Sequence, residues 1–160
     1  MPLSTVVHEA RLRVRYAETD AQGIAHHSSY VPWLEVGRVE WLRAAGVRYA
    51  DLEAQGYSLP VVELHLRYVA AARFDDALVV RTGLADVRSR SVRFVYEIVT
   101  DTDHPRQVAN GMTRHVCLCQ GRISTLPHAL RDLVAVQAPE AGTQASPTAA
   151  DQASATTSTA

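Results

Sequence analysis

The chain has 160 residues, of which 47% are hydrophobic and 21% charged, and its formal net charge is -1. This length and composition suit a single folded domain, and the near-neutral charge argues against nucleic acid or an anionic membrane as a partner. All sixteen basic residues are arginine, which excludes enzymes that depend on a lysine Schiff base, a P-loop lysine or a lysine general base.

The N-terminus and the apolar content of the chain bear on its location in the cell. The N-terminus lacks the charged and apolar regions of a signal peptide, and no stretch approaches the roughly 20 apolar residues that span a bilayer. We therefore expect a cytoplasmic protein without membrane insertion.

From Ala138 to Ala160 the chain is mainly Ala, Ser and Thr, with no aromatic, Leu, Ile or Val residue. This composition predicts one folded domain over residues 1–137 and a disordered tail over residues 138–160.

The first predicted elements are a strand and a long helix. Apolar and arginine side chains alternate over residues 6–16, as expected of a half-buried strand. After a polar loop, apolar residues recur at helical spacing from Tyr30, and Gly46 is a natural end for that helix. Pro32 is tolerated because the first helical turn has no internal partner for its backbone N–H groups.

The rest of the domain reads mainly as strands. Alternating apolar residues predict strands at residues 61–69, 77–84, 91–101 and 107–119, and an amphipathic segment over Pro127–Val136 predicts a terminal helix. Consecutive strands with short links usually pair antiparallel, and their apolar faces need a cover. The sequence therefore predicts an α+β fold, in which a curved antiparallel sheet of about five strands wraps around one long helix.

The chemistry is concentrated between the first strand and the helix. There a carboxylate, a glycine turn and a helix N-terminus follow one another, and free N–H groups at a helix start suit a carbonyl oxygen that becomes an oxyanion. The segment closely resembles the signature of the 4-hydroxybenzoyl-CoA thioesterase family, which has the hot-dog fold. The matching positions are Tyr16, Thr19, Asp20, Gly23, Ile24, His27, Tyr30, Glu35 and Arg38, and a second block runs from Tyr68 through Ala72–Asp76 to Leu78.

The resemblance implies an acyl-CoA thioesterase that needs no metal or redox cofactor, because coenzyme A is part of the substrate. It implies that Asp20 is the catalytic carboxylate, either as a nucleophile or as a general base, and that the backbone N–H of His27 polarises the thioester carbonyl. The similarity is nearest to the bacterial Tol-Pal-associated acyl-CoA thioesterases, which share the histidine. That branch favours short or general acyl groups as substrates.

Further site residues follow from the same resemblance. Gly23 belongs to the catalytic turn, Glu35 faces the cavity between subunits, and the loop Arg88–Ser89–Arg90 lies near the nucleotide end of coenzyme A. Arginine suits phosphate because its N–H groups form paired hydrogen bonds, although solvated hairpin tips also carry such charges. Tyr16 suits a core role as well as a role in the site. The family also implies a homodimer or homotetramer, and an unpaired outer strand gives a physical reason for pairing.

Other functions remain as alternatives. Within the fold, hydratases and dehydratases act on acyl thioesters with a His and carboxylate pair that is not found here, and a non-catalytic acyl-CoA binding module would lose the carboxylate. Neither His26 and His27 nor Cys117 and Cys119 have the further ligands of a metal site. Both cysteines are interpreted as packing residues, since no motif supplies an adjacent base.

Overall fold

The computed structural model describes residues 7–137 of the chain. Its main sheet has five antiparallel strands: β1 (His8–Arg13), β3 (Val61–Tyr68), β4 (Ala77–Val87), β5 (Ser91–Thr100) and β6 (Gln107–Val116). Their order across the sheet is β1-β4-β5-β6-β3, so β1 and β3 form its two edges. A smaller sheet joins β2 (Tyr57–Ser58), β7 (Leu118–Cys119) and β8 (Arg122–Ile123). The predicted tail lies outside the described residues.

The long helix covers one face of the main sheet. Helix α1 (Tyr30–Ala44) packs against β1, β4 and β5, and Gly46, with φ +82°, follows its end as predicted. The ring of Trp41 meets Phe94 of β5 edge to face, with centroids 5.5 Å apart. Burial recurs every three or four residues, which is the pattern of one helix face turned to a core. The buried positions of α1 are Tyr30, Trp33, Leu34, Gly37, Arg38, Trp41 and Leu42.

The sheet follows the predicted strands with shifted boundaries. The first strand is shorter than predicted, because the chain leaves it after Arg13 and forms a 3-10 turn at Tyr16–Glu18. The fourth strand runs on to Val87, beyond the predicted end. The predicted terminal helix is present as α3 (His128–Gln137). The α+β architecture, with one antiparallel sheet and one long helix, is confirmed.

The short elements were not predicted as separate units, and the predicted strand at residues 107–119 is divided, with β6 ending at Val116 and Leu118–Cys119 forming β7. Helix α2 (Tyr49–Ala54) follows α1, and the strands of the small sheet are only two residues long. Such short segments carry too few residues for a periodic pattern. The small sheet links the segment after α2 to the chain that follows β6, since Tyr57 pairs with Cys119. It lies outside the loop that holds the candidate site.

Candidate functional site

The loop between β1 and α1 is folded back on itself by backbone hydrogen bonds. The N–H of Asp20 donates to the Ile24 carbonyl at 2.9 Å, and the N–H of His26 donates to the Glu18 carbonyl at 2.8 Å. Gly23 closes the turn between them with φ +73° and donates its N–H to the Asp20 carbonyl. Because other residues rarely adopt that φ, the turn explains the glycine.

Asp20 is the half-buried carboxylate of this turn. Its Oδ1 accepts the backbone N–H of Gln22 at 2.7 Å, which fixes the side chain as an Asx turn does. Its Oδ2 has no hydrogen-bond partner among residues 7–137. The side chain lines a cavity of about 370 Å³ together with His27. The turn therefore fixes one oxygen of the carboxylate and leaves the other unbonded within the described range.

The backbone N–H of His27 lies at the start of the helix. The ring of His26 accepts the N–H of Ser28 at its Nδ1, and the His26 carbonyl accepts the N–H of Ser29 at 2.9 Å. The N–H of Tyr30 donates to the Ser28 carbonyl. Within the part of the chain that the structure describes, the N–H of His27 has no acceptor. An unpaired N–H beside a cavity is a ready hydrogen-bond donor for a ligand oxygen.

The cavity wall opposite this turn comes from the end of β3 and the segment after it. Tyr68 lines the cavity, and its hydroxyl donates to the His27 carbonyl at 2.9 Å. The Tyr68 ring meets the Tyr30 ring edge to face at 5.0 Å. Tyr30 is buried in the core, and this burial raises the pKa of its hydroxyl. The small residues Ala70 and Ala71 complete this wall.

Glu18 is a buried carboxylate that stabilises the loop through hydrogen bonds, and it was not identified from the sequence. Glu18 accepts the backbone N–H and the guanidinium of Arg15, each at 2.8 Å, and the indole N–H of Trp33 at 3.0 Å. Burial alone would raise the pKa of Glu18, but these donors outweigh it and lower that pKa. The signal in the sequence was the spacing of Arg15 and Glu18, three residues apart.

The structure separates two predicted site residues from this cavity. Tyr16 is 78% exposed and packs its ring edge-on against Phe74, with centroids 5.6 Å apart. Glu35 lies on the exposed face of α1. Neither residue lines the cavity around Asp20 within a single chain.

The arginine hairpin lies at the far end of the sheet. The loop that holds Asp20 follows Arg13, which pairs with Ala77 at the start of β4, whereas Arg88, Ser89 and Arg90 follow the end of that strand. Eleven strand residues span roughly 30 Å. Arg88 is engaged with Asp86, its Nε lying 3.0 Å from the carboxylate. The structure thus keeps this hairpin apart from Asp20 of the same chain.

Metal and membrane features are missing from the described range. No three His, Cys, Asp or Glu side chains between residues 7 and 137 come together as a metal site. No helix in that range is long and apolar enough to cross a bilayer. Cys117 is buried, and its burial raises the pKa of its thiol, which agrees with a packing role.

Residues 14–134 match the model of the thioesterase-like superfamily. The chain belongs to this family. Among its relatives is the acyl-CoA thioester hydrolase YbgC of Escherichia coli, which is 34% identical over 97 residues, or 61% of this chain and 72% of the relative. The family match covers most of the described residues, including the turn that holds Asp20.

Solved structures of the family share the fold. A hypothetical protein of Thermus thermophilus, TT1821, superposes with a TM-score of 0.77 at 39% identity, over 82% of this chain and 98% of that one. A 1,4-dihydroxy-2-naphthoyl-CoA thioesterase of Synechocystis superposes with a TM-score of 0.73 at 19% identity, over 81% and 96%. At that identity the likeness concerns the fold alone. The sheet wrapped around α1 is the predicted hot-dog fold.

Proposed function

We propose that this chain is an acyl-CoA thioesterase that hydrolyses a thioester to the free acid and coenzyme A. One observation carries the proposal: Asp20 and His27 line the same cavity, and the His27 N–H has no acceptor among the described residues. A carboxylate and an oxyanion donor are the two groups that acyl transfer from a thioester needs. The name of the relative YbgC, an acyl-CoA thioester hydrolase, supports the same reaction.

Two routes are compatible with these groups. In the first, Asp20 attacks the thioester carbonyl, the C–S bond breaks, and water then hydrolyses the mixed anhydride to release the acid and restore the carboxylate. In the second, Asp20 removes a proton from water while that water attacks the carbonyl, and the proton passes to the leaving thiolate. In both routes the His27 N–H stabilises the negative oxygen, a contribution of about 3 kcal/mol for one donor.

The complete site requires a second copy of the chain. Strand β3 is an unpaired edge that starts at the hairpin end of the sheet, beside His115 and Val92, and finishes with Tyr68 at the Asp20 end. Antiparallel pairing of two such edges would bring the partner's hairpin to the Asp20 end of this chain. We infer that Arg88, Ser89 and Arg90 serve the substrate held at the other subunit's Asp20. Roles for Tyr16 and Glu35 stay predictions and would also require the interface.

The decisive variant is Asp20→Asn, which keeps the size and the Asx turn but removes the charge. We expect hydrolysis of acyl-CoA, measured as thiol release over short, long and aromatic acyl groups, to fall by about 100-fold or more. Asp51→Asn is the matched control, because Asp51 lies exposed on α2. Circular dichroism and thermal unfolding confirm folding in both variants.

Three results would count against the proposal. Full thiol release by the folded Asp20→Asn variant would exclude the carboxylate from the chemistry. Binding of acyl-CoA without turnover in the unaltered protein would favour a binding module instead. Hydration of a 2-enoyl-CoA, assayed in parallel, would favour the hydratase alternative.

A further inference from the structure

Tyr68 stands apart from the other residues of the cavity because it connects the edge strand to the helix start. It is the last residue of β3, it is 49% exposed, and its hydroxyl bonds the His27 carbonyl at 2.9 Å. Its ring also packs edge to face on Tyr30, the first residue of α1. No other described side chain donates to the His27 carbonyl.

The two peptide planes around His27 are held from different sides. The carbonyl before it, that of His26, accepts the N–H of Ser29, and the N–H of His26 is bound to the Glu18 carbonyl. The plane after it has two restraints: the His27 carbonyl accepts the Tyr68 hydroxyl at 2.9 Å, and the Ser28 N–H donates to His26 Nδ1 at 3.3 Å. Of these two bonds, the Tyr68 bond is the shorter and comes from outside the helix start. Its loss leaves the plane after His27 held by the contact with the His26 ring, so the backbone at His27, and with it the direction of its N–H, is less restrained.

We propose that Tyr68 is a positioning residue, whose hydroxyl aims the His27 N–H at the substrate carbonyl. The inference rests on the proposed function and extends it from the reacting groups to the group that orients them. Tyr68 acts through the backbone and not as a catalytic residue. It also ties the oxyanion donor to β3, the strand proposed to pair with a second copy, so strand pairing and donor geometry are mechanically linked.

The variant Tyr68→Phe keeps the ring contact with Tyr30 and removes the hydrogen bond alone. We expect kcat on acyl-CoA to fall about 3- to 10-fold, which is the effect of one neutral hydrogen bond, and KM to change by less than about twofold. The ranking of acyl groups should stay the same. An oxyanion donor that is misdirected affects the transition state more than substrate binding, which is why kcat carries the effect.

Tyr49→Phe is the matched control. The Tyr49 hydroxyl also bonds the backbone, accepting the Leu59 N–H at 3.1 Å, but it lies away from the cavity. This variant should lose at least as much stability as Tyr68→Phe, because the Leu59 N–H that it leaves unpaired is buried, and it should keep kcat unchanged. Size-exclusion chromatography with light scattering would confirm that both variants keep the oligomeric state of the unaltered protein.

Amide hydrogen exchange of residues 26–29 gives a readout that is independent of activity. Faster exchange in this segment for Tyr68→Phe, together with the lower kcat, would support the proposal. An increase in KM with unchanged kcat would overturn it in favour of a direct acyl contact, and unchanged exchange would overturn it as well. If the unaltered protein hydrolyses no thioester, the proposed function fails, and the exchange rates still decide whether Tyr68 holds the helix start.

Discussion

A chain of buried polar side chains crosses the sheet beneath the helix. The Tyr96 hydroxyl lies 2.8 Å from Thr113 Oγ1, which lies 2.8 Å from His115 Nε2, and His115 Nδ1 lies 2.8 Å from the Leu59 carbonyl. A carbonyl only accepts, so Nδ1 carries a proton. In the neutral form of His115, Nε2 accepts from the Thr113 hydroxyl and Tyr96 donates to Thr113; in the protonated form both of these bonds would reverse. Burial of the ring, and not the hydrogen bonds alone, therefore favours the neutral form.

Protonation of this histidine is opposed by its surroundings. Burial lowers the pKa of His115 to about 4, and the positive charge of Arg38 on α1 adds to this effect against the opposing hydrogen bond to Leu59. Above pH 6.5 the residue is neutral in both folded and unfolded chains and makes no difference. Between pH 6.5 and about 4 the unfolded chain takes up the proton first, so the free energy of unfolding falls as the pH falls.

We predict that His115→Gln makes stability less dependent on pH in this window. The unaltered protein should lose up to about 3 kcal/mol through this residue between pH 6.5 and 4, and the variant should lack that part of the slope whatever its absolute stability. Urea unfolding at several pH values measures it. His65→Gln, at an exposed histidine of β3, is the control and should keep the slope. An unchanged slope in His115→Gln would contradict the assignment.

The sequence predicted those site residues that lie close together along the chain. Asp20, Gly23 and His27 fall within eight positions, and the turn that joins them is local. Tyr68 comes from a strand 41 residues after His27, and no spacing rule connects it to the helix start. Glu18 was overlooked because its partner Trp33 lies on a helix face that was interpreted as core. Long-range contacts of this kind require the packed fold.

At the level of elements, the closest approach of α1 to the sheet depends on Gly37. A Cβ atom at this position would lie 2.5 Å from Thr82 Oγ1 and 2.7 Å from Val80 Cγ1 on β4. Both neighbours are fully buried side chains of a central strand and have little room to move. A helix with any larger residue here would have to lift away from β4.

We predict that Gly37→Ala destabilises the protein although alanine is the better helix former. The gain in helix propensity is about 1 kcal/mol, and the strain of overpacking is typically 1–3 kcal/mol, so the net loss should be about 1 kcal/mol and at most about 2 kcal/mol. Urea unfolding would measure this loss. Val36→Ala, on the exposed side of the same helix, should change stability by less than about 0.5 kcal/mol. Equal or greater stability of Gly37→Ala would show that the helix moves freely.

Long elements were predictable, and short ones were not. Helix α1 has four turns of regular apolar spacing and a glycine after its end, so its bounds in the sequence agree with the structure. Strand β7 has two residues and exists because it pairs with β2, which is distant in the sequence. The hairpin after β4 was predicted as a loop, but its distance from Asp20 depends on strand direction, which the alternation of residues does not reveal.

At the level of the whole molecule, the two faces of the edge strand β3 differ in character. Glu63, His65 and Arg67 alternate with an apolar set, and Glu63 pairs with Arg114 of β6 at 3.2 Å on the polar face. The apolar side chains of β3 are Val61, Val62, Leu64, Leu66 and Tyr68. Helix α1 packs on β1, β4 and β5, and Leu64 is left 38% exposed beside a free strand edge. Both features favour pairing with a second copy.

We predict that the chain is a dimer through β3 and that Leu64→Asp converts it to an inactive monomer. A charge in the paired apolar face would cost several kcal/mol in the dimer but little in a monomer, where Leu64 is partly exposed already. Light scattering would measure the mass, and activity would be followed over a dilution series, since mass action links turnover to protein concentration. His65→Asp places the same charge one residue along, on the polar face, and should leave the dimer intact. Full activity in a Leu64→Asp monomer would mean that one chain holds the whole site and that the arginine hairpin does not act across the interface.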